Sequence, residues 1–119
     1  MDSFRDLIVW QKGMLLVEET YRWTRTFPRE ELYGLSDQMR RAAVSVPSNI
    51  AEGYGRQSTQ DYIRFLLIAR GSLYELRTQA EIARRLGFVS QEAFQAGESL
   101  IIEIERMLTS LITKLRSHV

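Results

Sequence analysis

The side chains with chemical reach in this sequence are mostly arginines. Lys12 and Lys114 are the only lysines, and a guanidinium makes fixed, forked contacts to carboxylate or phosphate. Arg40, Arg41, Arg56 and Arg64 are not consumed by an obvious packing seam, and Tyr54 beside Arg56 offers a stacking surface. A phosphate contact next to a stacking ring is the chemistry of RNA binding, so these five are the candidate nucleic-acid-binding residues. A second group, Gln38, Ser45, Asn49 and Glu52, recurs with Arg41 at helical steps. It reads either as a hydrogen-bonded network at a subunit or ligand interface or as a solvated face.

A third group, Arg70, Arg77 and Arg84, repeats every seventh residue, each directly after an apolar position (Ala69, Leu76, Ala83). A row that borders a seam can staple two helices, and Glu98 and Glu105 form the matching row on the following helix. Pairing about the turn near Gly87 predicts Arg77 beside Glu98 and Arg70 beside Glu105. Phosphate binding is the other reading of this row.

Catalytic chemistry finds no footing. The one histidine, His118, is next to the last residue, and there is no cysteine. A di-iron bundle needs Glu-x-x-His pairs facing inward, which this sequence lacks. The Gly53-Tyr54-Gly55-Arg56 run is too short for a phosphate loop and has no lysine after it. Glu52 and Glu75 have no partner for acid–base work. The expectation is a non-enzyme with no metal, cofactor or small-molecule substrate.

The elements that position these groups are helical. Apolar residues recur at three- and four-residue steps in four stretches. They are Leu7, Trp10, Met14, Val17 and Tyr21; Met39, Ala43, Val46, Ile50 and Gly53; Tyr62, Leu66, Ala69, Leu73, Leu76, Ala80 and Ala83; and Phe94, Gly97, Ile101, Ile104, Leu108, Leu111 and Leu115. Pro28 suits a helix start, with a turn around residues 30–34. Gly53 and Gly55 are expected to end the second helix. Ser58 and Ser90 are N-cap candidates, and Gly87 stands where a left-handed C-terminal cap belongs. Pro47 falls inside the second helix, where it removes a backbone hydrogen bond. At 119 residues the chain fits one domain, 1–119, an all-α antiparallel up-down four-helix bundle.

The first helix carries a further row, Val9, Leu16 and Trp23 with Gly13, on the side away from the Leu7 stripe. The third carries Ile63, Leu67, Gly71 and Tyr74 beside its main stripe. Outward apolar rows mark an interface, so these eight residues are the expected surface of a homo-oligomer.

Net charge is +1 and hydrophobic residues make up 45%, so the molecule as a whole is not an electrostatic magnet for nucleic acid. No signal peptide and no membrane-length apolar run is present, and the lack of cysteine suits a cytoplasmic setting. Four runs stand out in order: Phe4, Leu7 and Trp10; Phe27-Pro28 with Glu30 or Glu31; Gln38 through Arg56, which contains S-V-P-S-N-I-A-E-G-Y-G-R; and Gly71-Ser72-Leu73-Tyr74-Glu75-Leu76. In these the sequence resembles the four-helix bundle family that includes the ribosomal RNA intervening-sequence proteins of bacteria. The resemblance implies a ring-like homo-oligomer, commonly of five subunits. The group also includes accessory proteins of diversity-generating retroelements, which bind nucleic acid and a reverse transcriptase. The functional expectation is an oligomeric scaffold or adaptor that binds RNA or a nucleic acid–protein complex. The alternative is a protein-interaction or structural oligomer with no nucleic-acid role.

Overall fold

The computed structural model describes residues 3–118. A short 3-10 turn, Phe4–Asp6, leads into α1 (Ile8–Arg25), and a second one, Arg29–Glu31, connects it to α2 (Leu35–Tyr54). α3 (Thr59–Arg85) and α4 (Gln91–Arg116) follow, and no strand occurs among the described residues. α1 packs on α2 and α4, and α3 packs on α2 and α4, with no comparable approach across either diagonal. The helices therefore stand at the corners of a square. Neighbours run antiparallel, because Arg77 reaches back to Glu98 and Arg70 to Thr109, while Ser45 meets Ser72. Among the described residues no helix is long and apolar enough to cross a membrane.

Local chemistry sets the boundaries. The Ser58 hydroxyl accepts from the Asp61 amide at 3.1 Å and that of Ser90 from the Ala93 amide at 3.1 Å, each satisfying one orphan donor of a first turn. α3 stops at Gly87, whose φ of +79° lets the Phe88 and Gly87 amides fold back onto the carbonyls of Ala83 and Arg84. α2 passes through Gly53 and ends at Tyr54, so Gly53 does not stop the helix as expected. It is buried there because a Cβ would stand 2.8 Å from the Phe65 Cβ, and its hydrogen side lets α2 and α3 converge.

The core stripes of α2 and α3 follow the sequence pattern, apart from half-buried Tyr62. On α4, Ile112 takes the buried place, and Leu111 and Leu115 are only partly covered. The first helix is rotated relative to expectation. Its buried face is Val9, Gly13, Leu16, Thr20, Trp23 and Thr24, whereas Met14 is 38% exposed and Leu16 only 2%.

The physical reason is that small and self-satisfied residues pack closer than large ones. Gly13 lies against Pro47, where a Cβ would come within 3.3 Å of the proline ring. Trp23 lies over Gly97 so closely that a Cβ there would be 2.6 Å from the indole. The Thr20 and Thr24 hydroxyls each donate to the carbonyl four residues earlier, at 2.8 Å. With both hydroxyl protons placed within the helix, and the Thr24 oxygen accepting from Arg40 at 2.8 Å, the two methyl groups are left to pack. Val9, Gly13, Leu16 and Trp23 are thus core residues, which corrects their placement on an outer face.

Candidate functional site

Once α1 is turned this way, its other apolar row lies toward the surface, half-buried against the core at Trp10 and Val17 and exposed at Met14. Trp10, Met14 and Val17 of α1 form a shallow groove with Val44, Pro47, Ser48 and Ala51 of α2. Val44 is exposed, and one turn before it on α2 the Arg40 guanidinium stacks 4.7 Å above the Tyr21 ring of α1. Pro47 belongs to this groove as well as to the Gly13 contact, so one buried residue fixes the α1–α2 approach and forms the bottom of the groove. On the opposite flank, α3 and α4 border a second groove lined by Tyr74, Arg77, Ile82 and Glu98. Tyr74, Ile82 and Ile68 are all exposed.

The second expected row of interface residues divides. Ile63 is buried in the core and Leu67 packs partly against it. Gly71 and Tyr74 face outward, and nothing lies within 4 Å of a Cβ built on Gly71. An exposed glycine in the middle of a 27-residue helix costs about 1 kcal/mol relative to alanine, and none of the described residues makes a close contact there to justify it.

The expected nucleic-acid residues are brought together only in part. Arg56 and Arg64 both stack on the Phe65 ring, at 4.7 and 4.8 Å, and Tyr54 meets Tyr62 edge-on at 6.1 Å. These five form one cluster at the α2–α3 turn. Burial, and secondarily the neighbouring Tyr54 phenol, pushes the Tyr62 hydroxyl above its ordinary value of 10.0. Arg40 and Arg41 lie on the opposite end of α2, ~22 Å away along the helix. Each arginine already has a partner: Arg41 holds Asp37 at 2.9 Å, Arg56 holds Glu52 at 3.0 Å and Arg64 holds Asp61 at 3.5 Å. Arg40 donates to the Thr24 hydroxyl at 2.8 Å.

The polar group on α2 also divides. The Asn49 amide donates to the Ser45 carbonyl at 2.8 Å and to its hydroxyl at 2.9 Å, and that hydroxyl meets Ser72 at 2.9 Å. This is a built seam between α2 and α3. Gln38 is exposed and stands apart from it. Arg41 and Glu52 turn to Asp37 and Arg56 instead of closing the network, because four-residue pairs on one helix need no second element.

The arginine row of α3 staples α4. Arg77 grips Glu98 through two nitrogens, at 3.0 and 2.8 Å, and that hydrogen bonding holds the guanidinium above its ordinary value. Arg70 donates to the Thr109 hydroxyl at 3.2 Å, so the expected Glu105 partner is replaced by a residue one turn further on. Arg84 pairs with Glu81 on its own helix and stacks on Phe94 at 5.2 Å. Among the described residues no cluster of three or more metal-ligating side chains forms.

The family model of the 23S rRNA-intervening sequence proteins matches residues 5–110. The fold is similar to the crystal structure of a protein with unknown function from the S23 ribosomal protein family of Bacteroides thetaiotaomicron VPI-5482, with a TM-score of 0.83. The two share 24% identity over 89% of this chain and 96% of that one, a level that speaks for the fold alone. No curated protein matches the chain.

Proposed function

This chain belongs to the 23S rRNA-intervening sequence protein family, and on that premise we propose that it is a self-assembling adaptor with no catalytic chemistry of its own. The observation that carries this reading is the α1–α2 groove, where Trp10, Met14, Val17, Val44 and Pro47 offer one continuous apolar surface. An opposing apolar surface, Ile68, Tyr74 and Ile82, lies on the far flank. Two different patches on opposite sides favour a head-to-tail contact, which closes into a ring when the rotation allows. A cytoplasmic ring of five, as the family resemblance implies, is the assembly we assign. Gly71 fits the same contact, since a bare helix surface admits a neighbour closely.

The test is light scattering coupled to size exclusion, on the parent chain and on Met14→Glu combined with Val44→Glu. The expected result is a defined oligomer for the parent and smaller species of unchanged helical content for the variant. An unchanged mass in the variant would remove the α1–α2 groove from the assembly.

A second reading, RNA binding, is favoured by the cluster of Arg56, Arg64, Phe65 and Tyr54. A phosphate would have to displace the Glu52 and Asp61 carboxylates, so binding should be weak per subunit and gain from several copies in one assembly. Replacing Arg56 and Arg64 by alanine should reduce RNA binding without changing the assembly, and added salt should weaken binding steeply. RNA binding that ignores both the substitutions and salt would sink this reading.

A further inference from the structure

The connector between α1 and α2 carries an exposed apolar knob. Tyr33 is 90% exposed and Leu32 is 46% exposed. This segment is not slack. The amides of Glu31, Leu32 and Gly34 bond to the carbonyls of Pro28, Arg29 and Glu31, at 2.9, 3.1 and 3.0 Å. The Glu31 carboxylate accepts from the Leu35 amide at 3.3 Å. A turn held by four hydrogen bonds presents its side chains with little ordering entropy left to lose on binding.

At the other end of the bundle, a groove opens between the start of α1 and the last turns of α4. Leu7, Ile8, Met107 and Leu111 line its floor, with Arg106 and Lys114 on its rim. Ile8 is 60% exposed. Among the described residues neither Arg106 nor Lys114 has a carboxylate within ion-pair distance, unlike the arginines of the α2–α3 turn. Asp6 shares the rim, which leaves the groove one net positive charge. The connector, with Arg29, Glu30 and Glu31, carries one net negative charge.

We propose that the Leu32–Tyr33 knob of one copy docks into the Ile8–Met107–Leu111 groove of a second copy, with Glu30 facing Arg106 and Lys114. The contact cannot form within one chain. The 18 residues of α1 separate knob from groove by ~27 Å. It is therefore a head-to-tail contact between bundle ends. It uses neither flank surface, so it stands independently of the sideways assembly proposed above.

Two variants of the full chain test it, each made on the Met14→Glu, Val44→Glu background so that flank contacts do not contribute. One removes the knob (Leu32→Ser with Tyr33→Ser) and the other blocks the groove (Ile8→Glu with Met107→Glu). Sedimentation velocity at low salt should show concentration-dependent association of the background protein, weakened by about tenfold or more in either variant alone. Mixing the two should restore a one-to-one pair, because one supplies the groove and the other the knob. Circular dichroism identical to the background establishes that each variant is folded. No association of the background protein, or no recovery on mixing, overturns the proposal. So does a groove variant that loses association while the knob variant keeps it, since another segment would then be the occupant. Recovery on mixing supports the end-to-end contact in every case, and flank assembly that persists in the Met14→Glu, Val44→Glu background overturns only the flank reading.

Discussion

Replacing Leu16 and Met14 in turn by alanine separates the two apolar faces of α1. Leu16 is 2% exposed and Met14, two residues earlier, is 38% exposed. Leu16 packs in the centre of the bundle, where truncation loses transfer free energy and leaves a cavity, at a cost of about 2–5 kcal/mol. Met14 keeps part of its surface in water within the protomer, so its truncation should cost the isolated fold less than about 1 kcal/mol. In urea, with a slope of about 1–3 kcal/mol per molar for a domain of this size, Leu16→Ala should lower the midpoint by about 0.7–5 M and Met14→Ala by far less. The assay is urea unfolding followed by far-ultraviolet circular dichroism, at a dilution where no oligomer remains. At high concentration the order should reverse for assembly, with Met14→Ala reducing the oligomer more than a folded Leu16 variant does. Equal midpoints, or a larger loss for Met14→Ala in the dilute protein, would refute the orientation of α1 and with it the assignment of the α1–α2 groove.

Gly53→Ala should destabilise the fold by about 1–3 kcal/mol, because the new methyl group meets the Phe65 Cβ at 2.8 Å and that atom moves only with α3. Gly71→Ala should stabilise the dilute protomer by up to about 1 kcal/mol, yet weaken the assembly if a neighbour approaches there; thermal unfolding and scattering read the two effects separately. Glu81 is held below its ordinary value of 4.5 by hydrogen bonds from Arg84 and then Arg85. A lowered folded-state pKa stabilises above 4.5 and is lost as pH falls through it, so Glu81→Gln should flatten the stability profile on the acid side, measured by urea midpoints between about pH 2 and 5. Tyr62 has the opposite sign. Its raised pKa contributes below the unfolded value and is lost as pH rises through the folded one, so Tyr62→Phe should remove one late-ionising phenol from the ultraviolet titration. A Tyr62→Phe titration indistinguishable from the parent would contradict the burial argument.

The helices, their caps and most of their buried stripes were legible in the order of residues alone. Periodicity at Met39–Ala43–Val46–Ile50 and at Leu66–Ala69–Leu73–Leu76 reports a local property, since each of these helices has a single main apolar stripe to bury. Ser58, Ser90 and Gly87 act within one turn of backbone, so their roles are also local. The Arg77–Glu98 staple was legible because a short antiparallel turn fixes the register of α3 and α4.

The tertiary structure alone decided which face of α1 points inward. Hydrophobicity favours Trp10, Met14, Val17 and Tyr21, but packing prefers the row in which Gly13 admits Pro47 and Trp23 fits over Gly97. Those preferences belong to pairs of residues 34 and 74 positions apart in the chain. No window of local sequence contains both members. The same holds for Thr20 and Thr24, which count as polar until their hydroxyls are seen to close on their own helix. It holds too for the arginines, since Arg40 and Arg56 are near in sequence yet occupy opposite ends of a rigid rod. The residue types were therefore readable, and the direction each one faces was set by close approach between distant segments.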